Sequence, residues 1–234
     1  MDQTQNSARQ PAEKSTATHV AKVLLSTGCV MFAGYGEDPF TLTSGKKSPV
    51  YVDCRRLISY PAERALVMRL GRLHLIKALD IENSIDYIAG GETAGIPYAA
   101  WLAEALHKPM IYVRKEAKGF GRMAQIEGYL PKGEEPRVLL VEDMATDGGS
   151  KIVFTDALRT AGTQINHVFC PFYYDVFAHS EELLQNAHLT LHYLATWADI
   201  LDVAEKQALF PEEILASTRR FLDSPDDWQR EYGT

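Results

Sequence analysis

The run VLLVEDMATDGGSK, residues 138 to 151, combines an apolar segment, two carboxylates and a turn of small residues that leads into a helix. Glycines and other small residues let successive backbone N–H groups converge on a phosphate at a helix N-terminus, where the helix dipole also favours an anion. Glu142 and Asp143 would repel a phosphate, so they need ribose hydroxyls or a hydrated metal ion as partners. The competing interpretation is a strand end, a turn and an N-cap without any ligand.

Two further loops follow apolar runs and could complete a polyphosphate site. GGETAGIP, residues 90 to 97, opens a helix whose N–H groups can bind a second anion, with Thr93 as the preferred contact, unless it is only a capped turn. RKEAKGFGRMAQIEG, residues 114 to 128, places cations among glycines, as in a mobile lid over a polyphosphate leaving group, although a charge run can also be a solvated face. Neither G-x-x-x-x-G-K-[ST] nor G-x-G-x-x-G occurs, which argues against kinases and dehydrogenases.

The three loops become neighbours if the apolar runs before them are parallel strands. The runs at 85–90, 109–113 and 137–142 are long enough for buried strands, and helices are predicted between and after them. This alternation predicts an α/β fold with a mainly parallel sheet flanked by helices, whose ligands lie beyond the carboxyl ends of the strands. The other predicted elements are helices at 18–28, 60–79, 96–106 and 150–160, strands at 50–54 and 165–171, and a helical last third that includes LATWADILDVAEKQALF and PEEILASTRRFL.

Composition limits the class of protein. The 234 residues are 46% hydrophobic and 24% charged, as is ordinary for a globular chain, and the polar residues 1–17 are predicted to be a disordered tail before a single domain at 18–234. A formal charge of −7 argues against nucleic-acid binding. No apolar run is long enough to span a membrane, and three scattered cysteines suit a reduced, cytoplasmic interior.

Three segments resemble a known enzyme family. The 138–151 run is similar to the phosphoribosyl pyrophosphate (PRPP) signature of the type I phosphoribosyltransferases. GIPYAAWLAEALHKPMIYVRKEAKGFGRMAQIEG and FTLTSGKKSPVYVD resemble the orotate phosphoribosyltransferases, and the resemblance covers roughly residues 37 to 172. It implies a type I phosphoribosyltransferase fold with a small N-terminal base-binding hood, built from residues 18–60 and the C-terminal region.

The activity that the resemblance implies is that of a glycosyltransferase, more narrowly a pentosyltransferase, which transfers phosphoribosyl from PRPP to orotate. The products would be orotidine 5′-monophosphate and pyrophosphate, in de novo pyrimidine (UMP) biosynthesis. The resemblance also implies Mg²⁺ held mainly by PRPP and water rather than by protein ligands, and a homodimer in which the mobile loop reaches the neighbouring site. The alternatives are a PRPP-binding regulator or catalytically silent homologue, and a purine-type phosphoribosyltransferase.

Carried over position by position, the family's site falls on all of these segments. The implied catalytic residues are Lys118, Glu142 and Asp143. The implied orotate contacts are Tyr51, Thr146 and Lys47. The implied PRPP contacts are Thr93, Arg114, Lys115, Lys118, Glu142, Asp143, Met144, Ala145, Thr146, Asp147, Gly148, Gly149 and Ser150.

Four positions depart from the family pattern. Phe120 stands where many members have a histidine, Thr43 and Ala94 where many have lysines, and Val176 near the place of an arginine that binds the orotate carboxylate. Either another cation compensates or the base preference differs. A carboxylated base needs only one well-placed cation, which favours compensation. The candidate cations are Lys46, Lys47, Arg55 and Arg122.

Overall fold

The computed structural model describes residues 8–34, 38–41, 47–118, 125–146, 149–177 and 179–232. At its centre is an eight-stranded sheet, in which the described pairings are parallel except for an antiparallel pair at one end. The strands stand in the order β1 (Arg9–Pro11), β12 (Thr190–Thr196), β11 (Gln164–Tyr173), β9 (Arg137–Val141), β6 (Tyr87–Gly91), β7 (Met110–Val113) and β8 (Ile126–Glu127), with β10 (Met144–Ala145) beside β11. The predicted α/β fold with a mainly parallel sheet is confirmed.

Helices flank this sheet. They are α1 (Lys14–Ser26), α2 (Pro61–Leu79), α3 (Ile81–Ser84), α4 (Gly95–Leu106), α5 (Gly149–Thr160), α6 (Ser180–Asn186), α7 (Trp197–Lys206), α8 (Glu212–Asp223) and α9 (Pro225–Tyr232). The helices predicted at 60–79, 96–106 and 150–160 are confirmed as α2, α4 and α5. Pro61 begins α2, because the first helical turn does not need its N–H group. Among the described helices, none is both long enough and apolar enough to cross a membrane.

Two short antiparallel pairs lie outside the main sheet. β2 (Val30–Phe32) pairs with β5 (Val50–Val52), and β3 (Phe40–Thr41) pairs with β4 (Lys47–Ser48). A 3-10 turn at Cys54–Ser59 follows β5, so the strand predicted to reach residue 54 ends at Val52. The base-binding hood predicted for residues 18–60 would include these elements and stays a prediction.

The central strands are apolar on both faces, which explains the uninterrupted apolar runs in the sequence. In β9, Leu139 and Val141 join one core, whereas Val138 and Leu140 join the other, because side chains alternate along a strand. The first core includes residues of α2 and α4, and the second includes residues of α5. Helices packed on both faces therefore hold the carboxyl ends of the strands at one edge.

The predicted disordered tail at 1–17 is wrong from residue 9 onward. β1 pairs in parallel with β12, and α1 begins at Lys14 rather than at residue 18. Arg9 forms ion pairs of 2.6 Å with Asp175 and Glu181. This polar segment is ordered by backbone pairing with a strand far along the chain and by charge pairs, and composition reveals neither.

The spacing of apolar residues predicted a helical last third, but this part of the chain is not wholly helical. The residues LAT at the start of LATWADILDVAEKQALF belong to β12, and α7 begins only at Trp197. The prediction failed because a short apolar run does not distinguish a buried strand from a buried helix, and β12 is buried along most of its length. The helical prediction is confirmed for α7, α8 and α9.

Three histidines from three elements form a cluster within the fold. Nδ1 of His167 in β11 lies 3.1 Å from Nε2 of His192 in β12, and the ring of His74 in α2 lies 5.9 Å from that of His192. Burial lowers the pKa of all three, and the two neighbouring rings add to this effect at His192, whose pKa falls to about 3. The cluster therefore stays uncharged in the folded protein at a pH where a free histidine would ionise.

We expect this histidine cluster to weaken the fold in acid. At pH values between the folded pKa of His192 and the ordinary pKa of 6.5, the unfolded chain binds a proton that the folded chain does not. The free energy of unfolding therefore decreases as the pH is lowered through this range. One such group contributes a slope of up to about 1.4 kcal/mol per pH unit. Urea unfolding at several pH values should show a weaker acid destabilisation for His192→Gln than for the unaltered protein.

The comparison between His192→Gln and the unaltered protein isolates the contribution of His192, since all other titrating groups are common to both. His19→Gln, at an exposed position in α1, is the matched control and should leave the slope unchanged. Identical slopes for His192→Gln and the unaltered protein would contradict this expectation.

Candidate active site at the carboxyl edge of the sheet

Three loops leave the carboxyl ends of β6, β7 and β9, which are neighbours in the sheet. Because these strands are parallel, the turn after Gly91, the segment after Val113 and the acidic pair after Val141 emerge at the same edge. The structure thus brings together the three loops that the sequence singled out.

Glycines let Glu142 enter the turn between β6 and α4. A Cβ atom on Gly91 would collide with Oε1 of Glu142, and one on Gly95 would collide with the carbonyl oxygen of Val141. The Glu142 side chain is therefore packed against backbone, and the residue is only 7% exposed. Any larger residue at 91 or 95 would have to displace the carboxylate or the end of β9.

A second set of contacts links this turn to the cationic segment. Oε2 of Glu92 accepts a 2.8 Å hydrogen bond from the backbone N–H of Lys115, and the Glu92–Thr93 peptide bond is cis. On the other side, the N–H of Arg114 donates to the carbonyl oxygen of Gln125 at 2.8 Å, and the Gln125 amide donates to the Arg114 carbonyl at 3.1 Å. The backbone at the start of the cationic segment is therefore held on two sides.

The predicted cations of this segment differ in environment. Lys115 and Lys118 are exposed, whereas Arg114 is half-buried and its Nη1 lies 3.8 Å from Oε1 of Glu127. Thr93, on the neighbouring turn, is exposed. Several sequence predictions lie outside the described residues, namely those on Thr43, Lys46, Phe120, Arg122, Asp147 and Gly148.

Burial and one lysine set the charge of the acidic pair. Burial raises the pKa of Glu142 to about 7, although the Lys151 cation opposes this shift, and the charge of Asp143 adds to it. Burial also raises the pKa of Asp143. Oε1 of Glu142 has no hydrogen-bond partner among the described residues, so it can accept a hydrogen bond from a ligand.

Lys151 is a site residue that the sequence prediction missed. It is only 4% exposed, its Nζ lies 3.8 Å from Oε2 of Glu142, and it donates to the carbonyl oxygen of Met144 at 2.7 Å. A lysine in the first turn of a helix gives no signal of burial in the sequence. Only the fold shows that this one points toward the acidic pair.

The segment that the sequence predicted as a turn begins with the short strand β10. Met144 and Ala145 form this strand and pair with β11, while Thr146 is half-buried beyond it. Gly149 and Ser150 then begin α5, so a helix N-terminus follows the acidic pair as predicted. The apolar strand, the two carboxylates and the helix start therefore occur in the predicted order.

An aromatic residue and an arginine lie at the end of β5. Tyr51 is half-buried, its ring lies 5.8 Å from that of Phe40, and its hydroxyl lies 3.5 Å from Nη2 of Arg55. Tyr98 of α4 donates to the carbonyl oxygen of Cys54 at 2.7 Å, which ties the start of the 3-10 turn after this strand to the main body. The predicted orotate contact Lys47 lies in β4, where its ammonium donates to Thr41 at 3.0 Å.

Comparison with known proteins identifies the family. The chain is 47% identical over 214 residues to "Orotate phosphoribosyltransferase" of Rhizobium meliloti (strain 1021), an alignment that covers 92% of this chain and 90% of that protein. The chain belongs to the orotate phosphoribosyltransferase family. The family, and with it the predicted class of pentosyltransferase, is confirmed, although no protein-family model matches the chain.

Solved structures of orotate phosphoribosyltransferases and their relatives have the same fold. The orotate phosphoribosyltransferase of Aeropyrum pernix matches with a TM-score of 0.66 and 32% identity, over 82% of this chain and 99% of that one. The Leishmania donovani UMP synthase matches with a TM-score of 0.74 and 29% identity, over 89% of this chain and 42% of that longer one. Together they confirm the predicted type I phosphoribosyltransferase fold.

We expect Glu142 to titrate near neutral pH. Isotope-edited infrared spectroscopy should detect a buried carboxyl group with a pKa of about 7 that disappears in Glu142→Gln. Lys151→Met should raise this pKa further, because the lysine cation favours the ionised form. Lys132→Met, at an exposed lysine in the loop before β9, is the control and should leave it unchanged. A pKa that does not respond to the loss of Lys151 would contradict the assigned role of this lysine.

Proposed function

We propose that this protein transfers the phosphoribosyl group from PRPP to orotate, giving orotidine 5′-monophosphate and pyrophosphate in pyrimidine biosynthesis. The observation that supports this most directly is the acidic pair, buried Glu142 and half-buried Asp143, between the turn after β6 and the start of α5. A site for a ribose phosphate combines two kinds of group. Carboxylates accept hydrogen bonds from the ribose hydroxyls, and N–H groups bind the phosphate. Its membership of the orotate phosphoribosyltransferase family supports the same activity.

In this proposal the acidic pair binds the ribose hydroxyls. Oε1 of Glu142 has no partner among the described residues, and a hydroxyl donor would satisfy it. The segment that follows binds the 5-phosphate at the N-terminus of α5, where N–H groups and the helix dipole favour an anion. This segment comprises Met144, Ala145, Thr146, Asp147, Gly148, Gly149 and Ser150.

The pyrophosphate would bind between the turn after β6 and the cationic segment after β7. Thr93 is exposed on the first, and Lys115 and Lys118 are exposed on the second. Arg114 adds a guanidinium at the base of this segment, where its backbone is held by Gln125. The hydroxyl of Thr93 on one side and the cations on the other would stabilise the negative charge that develops as the leaving group departs.

Magnesium fits the donor set of this site. Glu142 and Asp143 offer the carboxylate oxygens that Mg²⁺ prefers, but the described residues contain no cluster of three His, Cys, Asp or Glu side chains that could hold a metal ion. The family resemblance implies that PRPP and water would supply most of the ligands. When bound, Mg²⁺ neutralises charge on the pyrophosphate oxygens.

The base would lie against Tyr51, with Thr146 between base and ribose and a cation at the base carboxylate, for which Lys47 is the sequence prediction. Displacement at the anomeric carbon passes through an oxocarbenium-like state, so the base nitrogen attacks as the pyrophosphate departs. The protein needs no nucleophile of its own. Its residues orient the base, hold the ribose through Glu142 and Asp143, and stabilise the leaving group through Lys118.

We extend the proposal to a homodimer in which Lys118 of one subunit acts in the neighbouring site. Lys115 and Lys118 are exposed, and the described backbone hydrogen bonds to Glu92 and Gln125 hold only the start of their segment, at Arg114 and Lys115, which is compatible with such a reach. The cytoplasmic location predicted from the cysteines stays a prediction. All three are free and buried.

We expect purified protein to consume orotate, followed by its absorbance, when PRPP and Mg²⁺ are present, and to leave uracil and hypoxanthine largely unused. Lys118→Ala should lower kcat roughly a hundredfold or more, because a cation at the leaving group is lost. Lys132→Ala, at an exposed lysine before the amino end of β9, should remain active. Turnover of hypoxanthine would indicate the purine-type alternative, whereas PRPP binding without turnover of any base would indicate a regulator.

A mixing experiment tests the shared site. Lys118→Ala and Asp143→Asn should each be inactive alone, but refolding or exchange of the two together should restore activity. In a mixed dimer, one site then has an intact Lys118 from one subunit and an intact Asp143 from the other. If activity does not return although mixed dimers are demonstrated, Lys118 acts within its own subunit.

A further inference from the structure

The base assigned by the proposed function is an anion, and the described carboxylates around its expected position are unfavourable to it. Orotate has a ring carboxylate that is ionised at neutral pH. Asp53 directly follows β5, and both Asp53 and Asp143 are within electrostatic range of Arg55. A specific cation must therefore offset this repulsion where the base meets Tyr51.

Arg55 is held at this place by its own strand end. Its Nε donates to Oδ1 of Asp53 at 2.6 Å, and the same oxygen accepts from the Arg55 backbone N–H at 3.2 Å. Its Nη2 lies 3.5 Å from the hydroxyl of Tyr51. Asp53 occupies the Nε side of the guanidinium, and the side chain remains 59% exposed. The guanidinium therefore has Asp53 on its Nε side and Tyr51 beside Nη2, on a side chain that is largely open to solvent.

The same guanidinium lies within electrostatic range of Tyr51 and of Asp143. The pKa of Arg55 is raised mainly by Asp53, and Tyr51 and Asp143 contribute to the shift. Arg55 in turn lowers the pKa of Asp143, which partly offsets the effect of burial. Arg55 therefore interacts both with Tyr51, the proposed wall of the base site, and with Asp143, one of the two residues proposed to hold the ribose.

We propose that Arg55 binds the carboxylate of the base and so determines the preference for orotate over uracil. Asp53 is the positioning residue, because it fixes the guanidinium through Nε and leaves the Nη atoms for the substrate. This inference rests on the proposed function, since it assigns the charged end of the same substrate.

Lys47 is the rival cation, and its contacts make it the weaker candidate. Its ammonium donates to Thr41 within the β3–β4 pair, and its backbone N–H donates to Oε1 of Gln229 in α9 at 3.1 Å. The Gln229 amide in turn donates to the Lys47 carbonyl oxygen. These contacts anchor Lys47 to the C-terminal helix, whereas the described contacts of Arg55 are with Asp53 and Tyr51.

The neighbouring Arg56 provides a matched control. It belongs to the same 3-10 turn, but its Nε donates to the carbonyl oxygen of Thr27 at 3.4 Å and its guanidinium packs beside Gly28. It therefore points toward the end of α1 rather than toward Tyr51. Loss of Arg56 removes an arginine from the same turn without removing the proposed carboxylate contact.

The test compares binding of orotidine 5′-monophosphate with binding of uridine 5′-monophosphate, which lacks only the carboxylate. Calorimetry on the full chain needs no turnover, so it separates this inference from the proposed function. Arg55→Gln should weaken binding of the carboxylated nucleotide roughly tenfold or more and leave the other nearly unchanged. Arg55→Lys should fall between, because the charge remains but the paired donors are lost. Arg56→Gln and Lys47→Gln should retain the preference.

In the activity assay, the same Arg55→Gln variant should raise KM for orotate more than it lowers kcat. Loss of the nucleotide preference in Lys47→Gln but not in Arg55→Gln would overturn the inference in favour of Lys47. Unaltered protein that binds both nucleotides equally would also overturn it, because no carboxylate site would then exist. If unaltered protein prefers the carboxylated nucleotide but does not consume orotate, the proposed activity fails while the assignment of Arg55 is still decided by its variants.

Discussion

The Glu142 carboxylate is buried at the end of β9, against the backbone of the turn that follows β6, and this placement constrains the rest of the site. Burial of a carboxylate is costly unless a cation or hydrogen bonds compensate. Lys151 compensates in part from the first turn of α5, and the absence of side chains at Gly91 and Gly95 provides the space. One side chain thereby couples the positions of β6, β9, α4 and α5.

The state of this carboxylate links ligand binding to protonation. With a pKa of about 7, Glu142 is divided between its protonated and ionised forms at neutral pH, and one of its oxygens lacks a partner in the described structure. A hydroxyl that donates to this oxygen favours the ionised form. A sugar ligand would therefore bind with release of a proton, and the unfavourable burial in the free protein would be relieved on binding.

Much of the fold and part of the site could be predicted from the sequence, because apolar runs and the polar residues that follow them are local features of the chain. Apolar runs predicted β6, β7 and β9, and the residues directly after them predicted the loops at the carboxyl edge. β1 and the pairing of Arg9 with Asp175 could not be predicted, since they depend on contacts far apart in the chain. The same holds for Lys151 and for the placement of Arg55 beside Tyr51, which only the folded geometry shows.

Opposite charges at one edge of a sheet would neutralise one another if they were free to pair. Two of the nearby cations contact an acceptor outside the acidic pair: Arg55 bonds to Asp53, and Lys151 bonds to the carbonyl oxygen of Met144. The backbone of the cationic segment is held by Glu92 and Gln125. These contacts hold the cations in place near the acidic pair, where the Nζ of Lys151 lies 3.8 Å from Oε2 of Glu142. This edge of the sheet consequently presents carboxylates and fixed cations side by side, which suits a ligand that has hydroxyls at one end and anionic groups at the others.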